Sequence, residues 1–583
     1  MFRVRSRLIA RWVVGALAAA LFLGTTPLVA DSKSGPSSVD PALLADAKAH
    51  PDAYFQVIVR GASSAAASTM SLFASGPAGD TSGDRSDSED RVKKAEIALS
   101  ASGGVRRSLA IVGGAAGVLR GSQIVTLSQT GLVDRIVRDE TFTASWTADD
   151  AVKAVDDAAI ETVKAPAVWA AKGLTGKGVT VAVVDSGVAD HPDLAGRIVA
   201  RVDLTGEGSN GDPGGHGTHV AGLIAGDGAA SHGQWTGVAP QANIASVRVI
   251  DATGHSKLST IFAGLQWVLR NTSTYNIRIA NLSFGGTALS GYQNDLLASA
   301  VEMLSFSGLT VVVSAGNDGT LGASSITTPA TDPFVITAGA DDTNDTAGLR
   351  DDGIAKWSSR GPTAFDGLAK PDLVAPGRRI VGLRAAGSTL DTLYPGLRVT
   401  ATGASTSQYF TMSGTSMAAA IVSGVAALYL ERRPSATPRE VKAQLTATAR
   451  PLRDARASEQ GAGVVDAFAA VTKPQALAPY TPYPASSAFA EQVFTKLYGQ
   501  TITWRDLSFH GGVGSRGISW ADVTWADITW DGITWEDITW EAFDWQSITW
   551  EDITWEDITW EGVTWEIAAP HGDSTSGSWG LVD

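Results

Sequence analysis

Residues 178–187 read Gly-Val-Thr-Val-Ala-Val-Val-Asp-Ser-Gly. An unbroken apolar run, rich in β-branched residues, stops at Asp-Ser-Gly. Four more stretches share this texture: ANIASVRVI (242–250), IRIANLSFGG (277–286), LTVVVSAGND (309–318) and FVITAGA (334–340). Helical patterns such as STIFAGLQWVLRN (259–271) lie between them. A strand that lacks a polar face is buried on both sides, and such strands alternating with helices predict a parallel sheet covered on both faces. In these sheets ligands and chemistry collect at the carboxyl ends of the strands. Asp185, Ser283 and Asn317 fall there.

Three motifs at strand ends or helix starts carry reactive groups. Val-Val-Asp-Ser-Gly (183–187) ends a strand with a carboxylate, Asp185, which can orient a histidine tautomer and stabilise its imidazolium. The same Asp can also simply close the strand as an Asx turn. His-Gly-Thr-His-Val-Ala-Gly (216–222) puts His216 at a helix start between glycines, with room for a partner, as a general base. The pair His216 and His219 lacks the glutamate of a zinc-protease helix, and His219 reads as a packed structural residue. Ser-Gly-Thr-Ser-Met-Ala-Ala-Ala (413–420) runs into a helix-forming stretch. Ser416 there is either an N-cap or a nucleophile, and a nucleophile needs a base in reach and donors for the oxyanion it creates. Its own N–H at a helix N-terminus is one donor. The side-chain amide of Asn317, in Ser-Ala-Gly-Asn-Asp-Gly, is a second.

The motifs DSG, HGTHVAG, SAGN and SGTSMA, in the order Asp, His, Asn, Ser, resemble the signature segments of the subtilisin-like serine proteases over about residues 165–470. The resemblance implies a three-layer α/β fold with a mostly parallel central sheet. It implies Asp185, His216 and Ser416 as a catalytic triad and Asn317 in an oxyanion hole. It implies that Ser283, Phe284 and Gly285, with Gly254, His255 and Ser256, clasp an extended peptide by main-chain pairing. Ser314, Ala315 and Gly316 would line a wall of the primary side-chain pocket. The activity implied is that of a secreted serine endopeptidase acting on protein or peptide substrates. An esterase on the same chemistry would carry a Gly-x-Ser-x-Gly elbow, which the SGTSMA segment lacks.

The chain departs from the family pattern after the serine, with Ala420 and Ile421 where members carry proline and histidine. Proline is tolerated near the first turn of a helix, so its loss is expected to change stability slightly and chemistry hardly at all. Ala385 to Gln408 reads as an inserted surface loop. No cofactor is required by the chemistry. Structural calcium is implied only by the resemblance; Asp227, Asp341, Asp342, Asp351 and Asp352 are loop carboxylates that form no recognisable calcium loop.

The flanking regions predict a processed, exported protein. Arg3, Arg5, Arg7 and Arg11 precede an apolar run from Trp12 to Leu23 and a small-residue site ending at Ala30, the layout of a signal peptide over 1–30. Residues 31–150 read as a small α+β unit. Its β-like pieces are YFQVIVR (54–60), SQIVTLS (122–128) and VDRIVRDETF from Val133, and 75–90 is a surface loop. This unit resembles the propeptides of the family, which chaperone and inhibit the protease, and its cut is expected between about Thr143 and Thr162. After the catalytic unit (160–472) come a linker (473–518), a tryptophan repeat (519–566) and a disordered tail (567–583).

In the repeat, tryptophan recurs every five residues from Trp520 to Trp565, with thirteen acidic residues and no Lys or Arg between 519 and 566. One long strand would put the rings on both faces, and a helix would spread them by about 140° per step. The open readings are a β-solenoid or other spacer, an extended segment docking on cell-envelope or polysaccharide surfaces, and a disordered stretch. The net charge of −15 over 583 residues argues against a nucleic-acid partner, and the lack of cysteine removes disulfides and thiolate chemistry.

Overall fold

The computed structural model describes residues 38–62, 82–100, 104–146 and 158–476. The signal-peptide, tryptophan-repeat and tail readings, and nearly all of the linker, lie outside the described residues.

The N-terminal part builds β1 (Ser38–Val39), β2 (Tyr54–Gly61), β3 (Val105–Leu109), β4 (Gly114–Arg120) and β5 (Val133–Arg138) into one sheet of order β1-β5-β2-β4-β3. Only β1–β5 is a parallel pair. Strand alternation gives the sheet two apolar faces. Val57 and Val59 face a cluster with Leu43 and Leu99 from the helices Pro41–Ala49 and Ser82–Ser100. Ile58 and Ala116 join the core of the second part.

Two expectations fail here. SQIVTLS is not a strand but most of the helix Gly121–Leu127. The Arg120 backbone N–H donates to Gln123 Oε1 at 2.9 Å, closing the helix start. Only Gly121 and Ile124 of its seven residues are buried, so no two-residue burial period exists to favour a strand. The surface loop predicted for 75–90 is helical from Ser82 onward.

A further strand, β6 (Thr141–Ala144), leaves this sheet. The second part then adds β7 (Thr180–Asp185), β8 (Ile198–Asp203), β9 (Asn243–Arg248), β10 (His255–Lys257), β11 (Ile277–Leu282) and β12 (Phe284–Gly285). It continues with β13 (Thr310–Ser314), β14 (Ile336–Asp342), β15 (Gly353–Ile354) and β16 (Leu373–Pro376). The large sheet runs β15-β14-β13-β11-β7-β9-β8, with β16 also on β14, and only β14–β15 is antiparallel. All six residues of β7 are buried. Val181 and Val183 face one helical layer, while Ala182 and Val184 face the other. This is the covered parallel sheet expected from the unbroken apolar runs.

On the first face lie the helices His216–Ala225 and Thr415–Arg432; on the second lie Leu258–Tyr275 and Leu296–Phe306. Thr415 to Leu430 are buried on every side, as a helix apolar all round must be. The stretch from Ala385 to Gln408 is more than a loop. It holds the short helix Thr389–Leu393 and β18 (Arg398–Val399), which pairs with β19 (Tyr409–Met412) beside β17 (Ile380–Leu383). Among the described residues no helix is long and apolar enough to cross a membrane.

Candidate active site

Asp185 is the last residue of β7, and the sheet fixes it through pairing with β9 and β11. It is fully buried. Its Oδ1 accepts from the Ser186 N–H at 2.7 Å and faces His216 Nδ1 at 2.7 Å. Nδ1 is therefore the protonated nitrogen, because a carboxylate only accepts. His216 opens its helix, and its Nε2 is buried without a hydrogen-bond partner.

The start of this helix is held by Asp212, which motif reading did not single out. Asp212 accepts from the N–H groups of Gly215 (2.7 Å) and Thr218 (2.8 Å) and from the hydroxyls of Ser186 (2.8 Å) and Thr218 (2.6 Å). Burial raises its pKa, and the four donors pull the other way. The signal for it was an acidic residue just ahead of a predicted helix, where orphan N–H groups need an acceptor.

Ser416 is the second residue of its helix. Its Oγ donates to the Ser145 carbonyl at 2.6 Å and lies 3.1 Å from the Ser283 carbonyl. Its backbone N–H donates to the same Ser145 carbonyl at 3.3 Å. The hydroxyl is thus taken up by carbonyls rather than by His216. Asn317 follows β13. Its Oδ1 accepts from the Thr415 N–H (3.1 Å) and hydroxyl (3.0 Å), which leaves Nδ2 facing away from Thr415, buried and unpartnered. Ser314, Ala315 and Gly316 lead from the end of β13 to Asn317 and are buried. The Gly316 N–H donates to Thr415 Oγ1 at 3.2 Å.

Both segments read as a peptide clasp pair with a strand of this chain, β6. It pairs antiparallel with β10 on one side (His255 opposite Thr143, Ser256 opposite Phe142) and with β12 on the other (Phe284 opposite Ala144). The Ala144 N–H donates to the Gly254 carbonyl at 3.2 Å and the Ser145 N–H to the Ser283 carbonyl at 3.1 Å. Absent side chains make room for this segment. A Cβ on Gly286 would come within 2.7 Å of the Phe142 ring, and one on Gly414 would collide with the Ser145 carbonyl oxygen. Composition and motifs could not reveal this occupancy, because it joins residues some 270 positions apart.

His219, one turn further along the same helix, is turned to β17 and β19. Its Nε2 is 3.1 and 3.0 Å from the Ile380 and Phe410 carbonyls. Burial, and then the neighbouring His216, press its pKa down to about 3. Among the described residues no three carboxylate or imidazole groups converge, Asp227 is paired with Arg197 (3.4 Å), and Asp342 with Arg378 (2.6 Å).

Comparison with known proteins fits this architecture. The Subtilase family model matches residues 176–463. Serine protease AprX of Bacillus subtilis (strain 168) is 44% identical over 323 residues, covering 54% of this chain and 71% of that protein. Subtilisin BL of Lederbergia lenta is 36% identical over 312 residues, covering 53% of this chain and 97% of the relative. In structure the chain resembles fervidolysin from Fervidobacterium pennivorans, a keratinolytic enzyme related to subtilisin, with a TM-score of 0.53 at 22% identity. That likeness spans 73% of this chain and 61% of fervidolysin, and it speaks for the fold. With the subtilisin-like sheet described and 71% of AprX matched at 44% identity, the chain belongs to the subtilase family and is a serine-type endopeptidase.

Proposed function

We propose that the protein is exported as a zymogen and matures by cutting its own Ser145–Trp146 bond, which frees a serine endopeptidase from its N-terminal domain. The observation that carries this reading is the Ser145 carbonyl, 2.6 Å from Ser416 Oγ, at the end of a strand paired on both sides like a substrate.

In this reading Ser416 is the nucleophile, His216 the base and Asp185 its orienting partner. The Ser416 hydroxyl turns its proton toward His216 Nε2, and Oγ bonds to the Ser145 carbonyl carbon. The proton passes to Nε2, and Asp185 stabilises the imidazolium while remaining a carboxylate. The carbonyl oxygen becomes an oxyanion held by the Ser416 N–H and Asn317 Nδ2. Both are fixed before reaction, so little reorganisation is needed. As the C–N bond breaks, His216 returns the proton to the Trp146 amine. Water, deprotonated by His216, then hydrolyses the acyl-enzyme and restores Ser416. The same steps cut a foreign peptide laid between β10 and β12.

After the cut, residues 141–145 still match the cleft, so the N-terminal domain remains an inhibitor until it leaves. Pairing on two sides gives affinity on the acyl side largely independent of side chains, which fits an endopeptidase that tolerates many sequences there. The arginine-led apolar N-terminus supports export. The tryptophan repeat is assigned a spacer role here, with contact to cell-envelope polysaccharide as the alternative, tested by deleting 519–566 and assaying retention on cell-wall material.

The test uses the full chain and its Ser416→Ala variant. Wild-type protein is expected to begin at Trp146 and to label with a fluorophosphonate. The variant is expected to keep residues 31–145 attached and to stay unlabelled. A mature N-terminus elsewhere overturns the bond assignment, and equal processing of the variant overturns self-cleavage.

A further inference from the structure

The residue that follows the bound carbonyl does not run into solvent. The Trp146 N–H donates to the Ala144 carbonyl at 3.1 Å, a tight turn about Ser145. The indole then meets the ring of Tyr394, with centroids 5.4 Å apart and planes at 80°. Both rings are half-buried against the core that includes the histidine and serine helices. Edge-to-face packing at this distance is a favoured aromatic geometry.

Tyr394 belongs to the inserted stretch 385–408, and its position is tied to the catalytic histidine. It ends the short helix Thr389–Leu393. The first two N–H groups of that helix donate to the carbonyls of Pro213 (2.8 Å) and Gly214 (3.1 Å), three and two residues before His216. The Ser388 side chain fills the space left by the missing side chain of Gly215. Asp391 locks the insertion from within. It takes a two-pronged bond from Arg384 (2.6 and 2.8 Å), a third from Arg398 (2.7 Å) and a fourth from the Gly387 N–H (2.9 Å). The Arg384 contacts hold its pKa well below the usual carboxylate range.

We infer that Tyr394 builds a specificity pocket for the residue on the leaving side of the scissile bond, and that the enzyme selects peptides with an aromatic residue there. This rests on the proposed reading of the Ser145 carbonyl as the reacting group. The insertion thereby adds selection on the side of the cleft where main-chain pairing with β10 and β12 has already ended at Ser145. The acyl side is read by backbone, the leaving side by a ring.

The test compares two peptides, Phe-Thr-Ala-Ser-Trp-Thr and Phe-Thr-Ala-Ser-Ala-Thr, with the mature enzyme obtained by expressing the full chain. Products are identified by mass, and kcat/KM is referred to active sites counted with a fluorophosphonate. The wild type is expected to favour the tryptophan peptide by roughly tenfold, the scale of one buried aromatic pair and its contact area. In Tyr394→Ala the ratio falls to within about twofold of unity, while Tyr394→Phe keeps it, since the ring and not the hydroxyl makes the contact. Tyr394→Leu, which fills the site without a ring, gives a second reading of the ratio should the alanine variant fail to mature. Equal rates on both peptides in the wild type, or an unchanged ratio in Tyr394→Ala and Tyr394→Leu, overturn this inference and leave the site reading standing. Cleavage of neither peptide by labelled wild-type enzyme overturns both.

Discussion

Two histidines three residues apart on one helix have opposite surroundings. His216 sits at the helix start with a carboxylate on Nδ1 and an unpartnered Nε2, as its proposed role as general base requires. His219 is sealed in. The ring touches the Gly382 backbone so closely that a Cβ there would lie 2.8 Å from it, and its pKa falls to about 3 from an ordinary 6.5. A folded-state value below the unfolded one means that the unfolded chain binds the extra proton between these limits. The stability this group contributes is complete above pH 6.5 and is lost as the pH falls toward 3. Urea unfolding at several pH values on a Ser416→Ala background, which removes self-digestion, measures it. His219→Gln is expected to flatten the acid limb by about 1.4 kcal/mol per pH unit below 6.5. A wild-type minus variant difference that does not change with pH would show His219 to be indifferent to protonation. At this scale the sequence was most legible where a reactive residue stands at a strand end or helix start between glycines. Asp212 had a local signal, an acidic residue just ahead of a helix, that motif reading passed over, whereas Tyr394 escaped because its contact with Trp146 joins residues far apart in the sequence.

Elements were legible when burial imposed a pattern on them. The parallel strands β7, β9, β11, β13 and β14 coincide with the apolar runs, because a strand covered on both faces is mostly apolar, and the polar residues it does carry, such as Arg248 and Asn281, are buried with hydrogen-bond partners. SQIVTLS misled because it is short and half-exposed, so helix start chemistry outweighed side-chain preference. The serine helix corrects a further expectation. The tolerance argued for proline at position 420 assumed the first helical turn, yet Ala420 is the sixth residue of Thr415–Arg432 and lies beyond the N–H groups a first turn leaves free. A proline there deletes a helical bond to the Ser416 carbonyl. That carbonyl retains the Ser283 hydroxyl at 3.4 Å, which offsets part of the loss. Ala420→Pro is therefore expected to lower stability by roughly 1–3 kcal/mol, below or at the full cost of an interior helical proline. Turnover should change by less than about tenfold, since Oγ, the Ser416 N–H and Asn317 are untouched. Chemical denaturation together with casein hydrolysis checks both halves; a gain in stability would mean that the helix already bends at this point.

The N-terminal sheet shows how one short sequence serves two cores. In β2, Val57 and Val59 hold the domain to its own helices, while Ile58 faces the second part and joins the cluster containing Leu265 and Leu297. The alternation makes folding of the domain and docking of the domain separable by single substitutions. Docking also positions β6, because Ser259 binds Asp139, two residues before the strand, through its N–H (2.8 Å) and hydroxyl (2.7 Å). The Ser145 carbonyl is thus brought to Ser416 by a body of contacts as well as by the cleft. Ile58→Ser leaves the Val57 and Val59 face intact and places a hydroxyl in the shared apolar cluster, at a cost of about 2–5 kcal/mol from lost burial, cavity and an unsatisfied polar group. Self-cleavage of the full chain should slow accordingly, seen as persistence of the band carrying residues 31–145. On the proposed maturation, the mature enzyme begins after the substituted position and has the wild-type sequence. Once formed, it should hydrolyse a reference peptide with unchanged kcat/KM per active site. If maturation keeps its wild-type rate, the cleft alone positions the scissile bond and the docked sheet contributes nothing to the cut; if mature activity falls as well, the domain has a second role in folding the enzyme that outlasts its removal.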